Sequence, residues 1–320
     1  MGAVLLAAPA ACLAANCTTQ AALNPLDRDA LAIAGGRVAA SVVQQNFDVL
    51  HSLLLPAEEQ NWENIRGAVE DGAALFRGGH AQIHNLYLLD STMERTTADT
   101  EFFCSNQSGS LTVTITLRAL PPGRYAVVLA DAAGAPMAGQ MAFILVWDGG
   151  PGGGWKLGGV SVRQGTFSGH DGVWYWTRAR ELAQMNLPWA AWFSYDAARY
   201  LLLPVDFLSS PNLERLQTEQ SQIKNSPPAA FPYMVPDGAR TWKIDSVQLD
   251  PTLRLPDLGV TYESTGVADP AAQRTEAVAV LSAFLKTQPA LRQNFHGLWA
   301  YAMSKGKRTP VMELPMAQIP

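Results

Sequence analysis

The chain lacks clustered positive charge, long apolar runs and abundant cysteine. Its 320 residues include 23 Lys and Arg against 28 Asp and Glu, and the basic residues are scattered singly. Nucleic-acid binding needs a basic patch, so that class of function is excluded. No apolar run reaches the roughly 20 residues that a transmembrane helix needs. Hydrophobic residues nevertheless make up 48% of the chain, enough for a packed core in two or three domains.

Several motifs of catalysis and ligand binding are also missing. The sequence has no G-x-S-x-G, no P-loop, and no dinucleotide-binding glycine motif that follows a strand. Apart from His84, the histidines are spread without metal-ligand spacing, at His51, His80, His170 and His296. The sequence therefore predicts neither a metal site nor a cofactor.

His84 and Asp90 are the candidate catalytic residues. Both lie on one predicted strand, and alternation puts them on the same face. An enzyme would need one of them as a general base with a tuned pKa. The alternative is a surface or packing histidine, and we favour it because no other group completes a recognisable constellation.

Residues 1–16 are expected to be an export signal. The first fifteen residues carry no charge, and two alanines before Asn16 offer a cleavage site. The usual basic start is missing, which we attribute to a true start codon further upstream; a buried N-terminal helix is the alternative. Neither Cys12 nor Cys17 follows a convincing lipobox, so secretion is favoured over a lipid anchor. The expected location is periplasmic or secreted.

Cys17 and Cys104 remain as a pair once a signal carrying Cys12 has been removed. An even number of cysteines in an exported protein predicts one disulfide. Two free thiols, one of them buried as a small apolar group, are the alternative.

The patterns predict an α+β fold whose first domain covers 17–165. Apolar residues at helical spacing follow residue 27, and a shorter helix is expected at 58–69. From residue 81 the pattern changes to strands, and 110–117 alternates with a period of two. The order indicates helices packed on one curved antiparallel meander.

This order of elements, with the ending DGGPGGGWKLGGV at 148–160, resembles the nuclear-transport-factor-two-like superfamily. The resemblance covers about residues 24–165 and implies a cystatin-like cone with a pocket between helix and sheet. That pocket is catalytic in some members and only binds ligands in others. Tyr87 and Trp147 are the residues of this domain that we expect at a ligand.

Residues 166–225 are expected to form an aromatic helical hairpin that resembles one tetratricopeptide-type unit. Small alanines in two predicted helices allow close approach, and a third helix completes the packing. Trp174, Tyr175 and Trp192 are candidates for stacking on a peptide or glycan. The alternative is that these aromatic side chains are core.

Residues 226–236 contain four prolines and are expected to be a stiff linker. A small α+β domain is predicted for 237–320, with a helix that starts at Asp269 and Pro270. As a whole, the predicted architecture resembles exported bacterial proteins that join a cone domain to a helical hairpin.

Three classes of function remain open. The first, which we favour, is non-catalytic binding of a small molecule, peptide or envelope protein through the cone pocket or the aromatic hairpin. The second is a small-molecule hydrolase or isomerase with an acid/base pair in the cone. The third is a structural accessory subunit of a cell-envelope assembly.

Overall fold

The computed structural model describes residues 15–149, 153–266 and 269–320. Its helices are α1 (Pro25–Gln44), α2 (Phe47–Ser52), α3 (Trp62–Phe76), α4 (Gly172–Gln184), α5 (Pro188–Leu202), α6 (Pro211–Ser221), α7 (Pro227–Ala230) and α8 (Pro270–Thr287). Its strands are β1 (Asn16–Thr19), β2 (His80–Asp90), β3 (Ala98–Ser105), β4 (Leu111–Leu120), β5 (Arg124–Ala133), β6 (Gly139–Asp148), β7 (Gly154–Gln164), β8 (Thr166–Phe167), β9 (His170–Asp171), β10 (Leu208–Ser209), β11 (Tyr233–Asp237), β12 (Arg240–Asp250), β13 (Asp257–Glu263), β14 (Gly297–Ser304) and β15 (Lys307–Pro315). Short 3₁₀ helices lie at Pro56–Asn61, Pro289–Gln293 and Met316–Gln318. The predicted α+β class is confirmed.

The export signal predicted at 1–16 lies outside the described residues, except for its last two. Within the described ranges, no helix combines the length and the apolar composition needed to cross a bilayer.

The chain forms two compact units. The N-terminal unit contains the described residues up to Arg163 together with Pro204–Pro211. The C-terminal unit contains Gln164–Leu203 and Asn212–Pro320. The chain therefore leaves the N-terminal unit after β7 and returns to it for one short segment.

Helix α1 packs on one face of the first sheet of the N-terminal unit. Asn24 caps this helix, because its side chain accepts a hydrogen bond from the Asp27 amide, and Pro25 occupies the first turn. The helix ends where Gln45 adopts a left-handed conformation with φ of 54°. The shared core includes Leu31, Val38, Val42, Ile65, Val69, Leu86, Val128 and Phe143. Burying each large apolar side chain contributes about 1.5–3 kcal/mol.

The predicted single meander is wrong, because the strands of the N-terminal unit divide into two sheets. The first has the order β1-β2-β5-β6-β7 and the second the order β10-β4-β3. Asp90 at the end of β2 pairs with Arg124 at the start of β5, and the Ser91 amide donates to the Gly123 carbonyl at 2.9 Å. Strand β5 is thereby placed directly beside β2, so the intervening β3–β4 hairpin is excluded from the first sheet.

A disulfide joins the two sheets of the N-terminal unit. Cys17 on β1 and Cys104 on β3 are bonded, with their Cα atoms 5.0 Å apart. The predicted pairing is confirmed. The Cys104 side chain is fully buried, whereas the Cys17 side chain is partly exposed.

The C-terminal unit combines helices with a five-stranded sheet of order β11-β12-β13-β14-β15. Strands β13 and β14 are parallel and α8 connects them, whereas the other neighbours are antiparallel. As predicted, α8 begins at Asp269, whose side chain accepts from the Ala272 amide at 2.8 Å. One core includes Trp189, Phe193, Trp242, Tyr262, Val280, Leu281, Phe284 and Leu298.

The predicted linker at 226–236 is wrong. Helix α7 and most of edge strand β11 lie in this segment, and Val235 is completely buried. The prolines are compatible with this assignment because β11 is an edge strand, where one side of the backbone needs no ladder partner.

Helices α4, α5 and α6 are tied together at Glu219. Its carboxylate accepts hydrogen bonds from Arg180 at 2.7 and 2.9 Å, from Trp176 at 2.8 Å, from Arg215 at 3.0 Å and, on α5, from the Tyr195 hydroxyl at 3.3 Å. The Arg180 hydrogen bonds are the main reason that the pKa of Glu219 is lowered to about 2. We assign this cluster a structural role, since its donors are already directed at a side chain of the protein itself.

Candidate functional site

A mainly apolar groove of about 840 Å³ lies in the N-terminal unit, and we call it the β4–β7 groove. Its volume lies within the range typical of small-molecule sites. The lining residues are Leu55, Ala57, Glu58, Thr116, Leu117, Arg118, Leu120, Pro121, Tyr125, Ile144, Val146, Gly158, Asp206 and Phe207.

An irregularity at the end of β4 shapes the groove. Strand β4 alternates regularly through Leu117, after which the register with β3 shifts. Ala119 takes a left-handed conformation with φ of 46°, and its amide donates to the Asp99 carboxylate at 2.8 Å. Such a bulge redirects the side chains around it. As a result, the consecutive residues Leu117 and Arg118 both line the groove together with Leu120, although strict alternation would place neighbouring side chains on opposite faces.

Two separate segments are held against the strands that line the groove. The Leu55 amide donates to the Leu157 carbonyl at 2.8 Å, which fixes the start of the Pro56–Asn61 helix beside β7. The Thr116 amide donates to the Phe207 carbonyl at 2.9 Å, which fixes the returning segment beside β4. Backbone hydrogen bonds therefore preform the groove.

Gly158 and Tyr125 keep the groove open and ordered. A Cβ at Gly158 would lie 2.8 Å from Val146 Cγ2, so only glycine fits there without moving that side chain. The Tyr125 hydroxyl donates to the Pro121 carbonyl at 2.6 Å, and burial raises the pKa of this phenol. Tyr125 therefore presents its ring to the groove while its polar end is satisfied by the protein.

The charged side chains that line the groove differ in whether they have a partner within the protein. Asp206 forms an ion pair with Arg163 at 2.8 Å. The Glu58 carboxylate accepts a hydrogen bond from the side-chain amide of Asn61 at 2.6 Å. The Arg118 guanidinium is exposed, and within the described part of the chain it has no hydrogen bond or ion pair. The lining of a mainly apolar groove thus includes an available cation.

The structure does not bring His84 and Asp90 together. They lie six positions apart along β2, at a rise of about 3.3 Å per residue. His84 Nε2 instead pairs with Asp131 Oδ2 at 2.7 Å, at a bulge in β2. Asp90 accepts from the Thr92 amide and hydroxyl and so closes a turn. The expected acid/base pair is not formed by these two residues.

The predicted ligand residues of the first domain are divided between different places. Tyr87 is buried and lines a cavity of about 520 Å³ together with His84. Trp147 is 40% exposed and packs edge-on against Trp155 at 5.4 Å, outside the β4–β7 groove.

The aromatic residues predicted at the helices also differ in their surroundings. Trp174 stacks on His170 with ring centroids 3.9 Å apart, and with Tyr175 it lines a cavity of about 300 Å³. Tyr175 is otherwise buried in the core of α4 and α5. Trp192 is partly buried against the core of the C-terminal unit. Trp174 is therefore the candidate of this group with an accessible ring face.

The groove residues were not among the sequence predictions. One available signal was the sequence Arg118-Ala119-Leu120, which breaks the strict alternation of the preceding residues. The contribution of Phe207 had no local signal, since it depends on the chain returning to β4 after two helices.

Comparison of the chain with protein-family models, with curated proteins and with solved structures finds no match. Function is therefore inferred from the groove itself.

Proposed function

We propose that this chain is an exported protein that binds an amphipathic small molecule with an anionic headgroup in the β4–β7 groove. The observation that carries the proposal is the combination of an apolar lining of ligand size with an unpaired arginine at its border. Export is supported by the Cys17–Cys104 disulfide, a bond that persists in oxidising compartments.

The apolar part of the ligand would lie on aliphatic and aromatic side chains. Leu117, Leu120 and Tyr125 are mostly buried, while Ile144 and Val146 are partly exposed within the groove. A hydrocarbon chain that covers these side chains gains about 25 cal/mol for each Å² of apolar surface removed from water.

The headgroup would lie at Arg118. A guanidinium presents several donors in a fork that matches a carboxylate or a phosphate. Asp206 and Glu58 already have partners, so they compete less strongly for this cation than free acids would. A neutral amphiphile would gain the apolar contacts but not this interaction.

The finer predictions of architecture belong to the same proposal. Helices α1 and α3 on the first sheet support the likeness to a nuclear-transport-factor-two-like cone, and the close succession of α4 and α5 supports the tetratricopeptide-like hairpin. The groove, however, is lined by strands of both sheets and not by α1, so the proposed ligand lies elsewhere than in a pocket between helix and sheet.

Filling the groove should weaken ligand binding. We expect Ile144→Trp to weaken the binding of dodecanoate, measured by calorimetry on the full chain, by at least about tenfold, or 1.4 kcal/mol. Leu26→Trp is the matched control. Leu26 is 85% exposed in the same unit, so this substitution adds a similar bulk outside the groove.

The headgroup contact is tested by charge reversal. Arg118→Glu should weaken dodecanoate binding about tenfold and leave binding of dodecan-1-ol within about twofold, because only the carboxylate uses the cation. Arg95→Glu reverses an exposed charge outside the groove and should change neither. Equal affinities of parent and Ile144→Trp, or no binding by the parent, would refute the proposed function.

A further inference from the structure

Three ligating side chains meet at one end of the C-terminal sheet, remote in sequence from one another. Asp257 is the first residue of β13, His296 directly precedes β14, and Glu313 lies near the end of β15. Parallel β13 and β14 begin at the same end of the sheet, with Leu258 opposite Leu298. Antiparallel β15 finishes there, so the topology itself brings these residues together.

The distances between these groups suit a shared ion. One ligand atom of each residue lies within 4.8 Å of those of the other two, and we call the group the Asp–His–Glu cluster. His296 Nδ1 and Asp257 Oδ1 are 2.9 Å apart. A Cβ at Gly297 would lie 2.5 Å from Glu313 Oε1 and 3.0 Å from Asp257 Oδ1, so glycine leaves room for both carboxylates.

The cluster has acceptor atoms that the protein does not satisfy. The Asp257 side chain is completely buried, and its Oδ2 atom has no hydrogen-bond partner within the described ranges. Glu313 Oε1 is also buried and has no partner there. Buried carboxylate oxygens without donors are costly, and each such atom calls for a compensating group. Two carboxylates and one imidazole form a ligand set whose negative charge one divalent cation would offset.

A neighbouring carboxylate shows the contrast. Asp250 Oδ2 accepts from the Tyr301 hydroxyl at 2.5 Å, and Asp250 Oδ1 accepts from the Thr252 hydroxyl at 2.5 Å. Asp250 is thus satisfied by the protein itself. Among the described residues, the adjacent cluster has no such donors at Asp257 Oδ2 and Glu313 Oε1, although the His296 side chain is 36% exposed and so open to solvent.

We propose that Asp257, His296 and Glu313 bind a divalent cation of the Zn²⁺ class, with one coordination position left for water or a substrate. One imidazole and two carboxylates are ligands that Zn²⁺ accepts, at bond lengths of about 2.0–2.2 Å. Binding would replace the contact between His296 Nδ1 and Asp257 Oδ1 with bonds to the ion and would bring the ligand atoms that now lie furthest apart closer together. Ca²⁺ needs six to eight oxygen ligands and fits a site with three protein ligands and one nitrogen poorly. The site is independent of the β4–β7 groove.

Calorimetric titration of the chelator-treated full chain with Zn²⁺ tests this site. The parent should bind one ion per chain, with Ca²⁺ and Mg²⁺ at least about a hundredfold weaker. His296→Ala and Glu313→Gln should each weaken Zn²⁺ binding at least about tenfold. Glu263→Gln, an exposed acid in the same unit, should leave it unchanged.

The Co²⁺ spectrum supplies a second readout. Visible absorption of bound Co²⁺ should show a four- or five-coordinate site in the parent and lose that intensity in Glu313→Gln, which keeps the shape of the side chain. If His296→Ala unfolds the C-terminal unit, Glu313→Gln still tests whether the cluster binds the ion. Zn²⁺ affinity that is the same in parent and Glu313→Gln would assign the ion to surface histidines and overturn the proposal, as would no binding at all.

Discussion

Reducing the Cys17–Cys104 disulfide is expected to lower the free energy of unfolding of the N-terminal unit by about 4 kcal/mol. The bond closes a loop of 87 residues, and opening it returns that loop's conformational entropy to the unfolded chain. Strand β1 is only four residues long and pairs with β2 alone in its sheet, so its other hydrogen bonds cannot replace the bond. The loss of stability should therefore appear first at β1.

Hydrogen exchange on the full chain measures this effect separately in each unit. In a Cys12→Ser background, peptides from β1, β2 and β3 should exchange faster after reduction, while peptides from β13 and α8 should not change. The variant Cys17→Ser provides the control, since added reductant should have no further effect on it. A change in unfolding free energy below about 1 kcal/mol would show that the bond does not stabilise the unit.

Asp196→Asn is expected to stabilise the C-terminal unit by about 2 kcal/mol at neutral pH. Burial on α5 is the main cause that raises the pKa of the Asp196 carboxyl from its usual 3.8 to about 6, while a hydrogen bond from Gln220 at 2.6 Å and the charge of Arg199 lower it in part. At neutral pH the folded protein thus holds a carboxylate in a poorly solvated place. Asparagine keeps an acceptor for Gln220 and removes the charge.

The raised pKa of Asp196 determines whether stability rises or falls with pH. Below pH 3.8 both the folded and the unfolded state hold the proton; between 3.8 and about 6 only the folded state holds it. Stability from this group is therefore greatest in acid and falls as the pH rises through that window. The advantage of Asp196→Asn should accordingly shrink by about 2 kcal/mol between about pH 7.5 and about pH 4.5.

Urea unfolding of parent and variant at both pH values, followed by exchange of α5 peptides, checks this prediction. Glu263→Gln is the control, because Glu263 is 59% exposed and its pairing with Lys243 lies at the surface, where an ion pair contributes little to stability. A gain from Asp196→Asn that is equal at both pH values would contradict a raised pKa as its origin.

Local signals in the sequence were enough for several of the elements and for the disulfide. The start of α8 followed from Asp269 and Pro270, because an N-cap and a first-turn proline act within four residues. The period-two pattern of β4 likewise predicts which of its side chains are buried. Pairing Cys17 with Cys104 rested on the expectation that Cys12 is lost with an export signal, which leaves an even number of cysteines in an oxidising compartment.

The candidate sites depend on long-range pairing, which local patterns do not report. His296 lies 39 residues after Asp257, and the two meet only because α8 returns the chain parallel to β13. The division of the N-terminal strands into two sheets likewise depends on Asp90 pairing with Arg124 across the whole β3–β4 hairpin. Contacts between residues so far apart in the sequence follow only from the topology of the sheets.

The return of Pro204–Pro211 to the N-terminal unit has a consequence for synthesis on the ribosome. Strand β10 pairs with Ile115 and Thr114 of β4, and Phe207 lines the groove beside them. A nascent chain that has emerged only as far as β7 therefore presents β4 with an open backbone edge. The β4–β7 groove is complete only when α4, α5 and the segment Pro204–Pro211 have all left the exit tunnel. A gene fragment that ends at residue 163 would encode a protein without Asp206 and Phe207 of this groove.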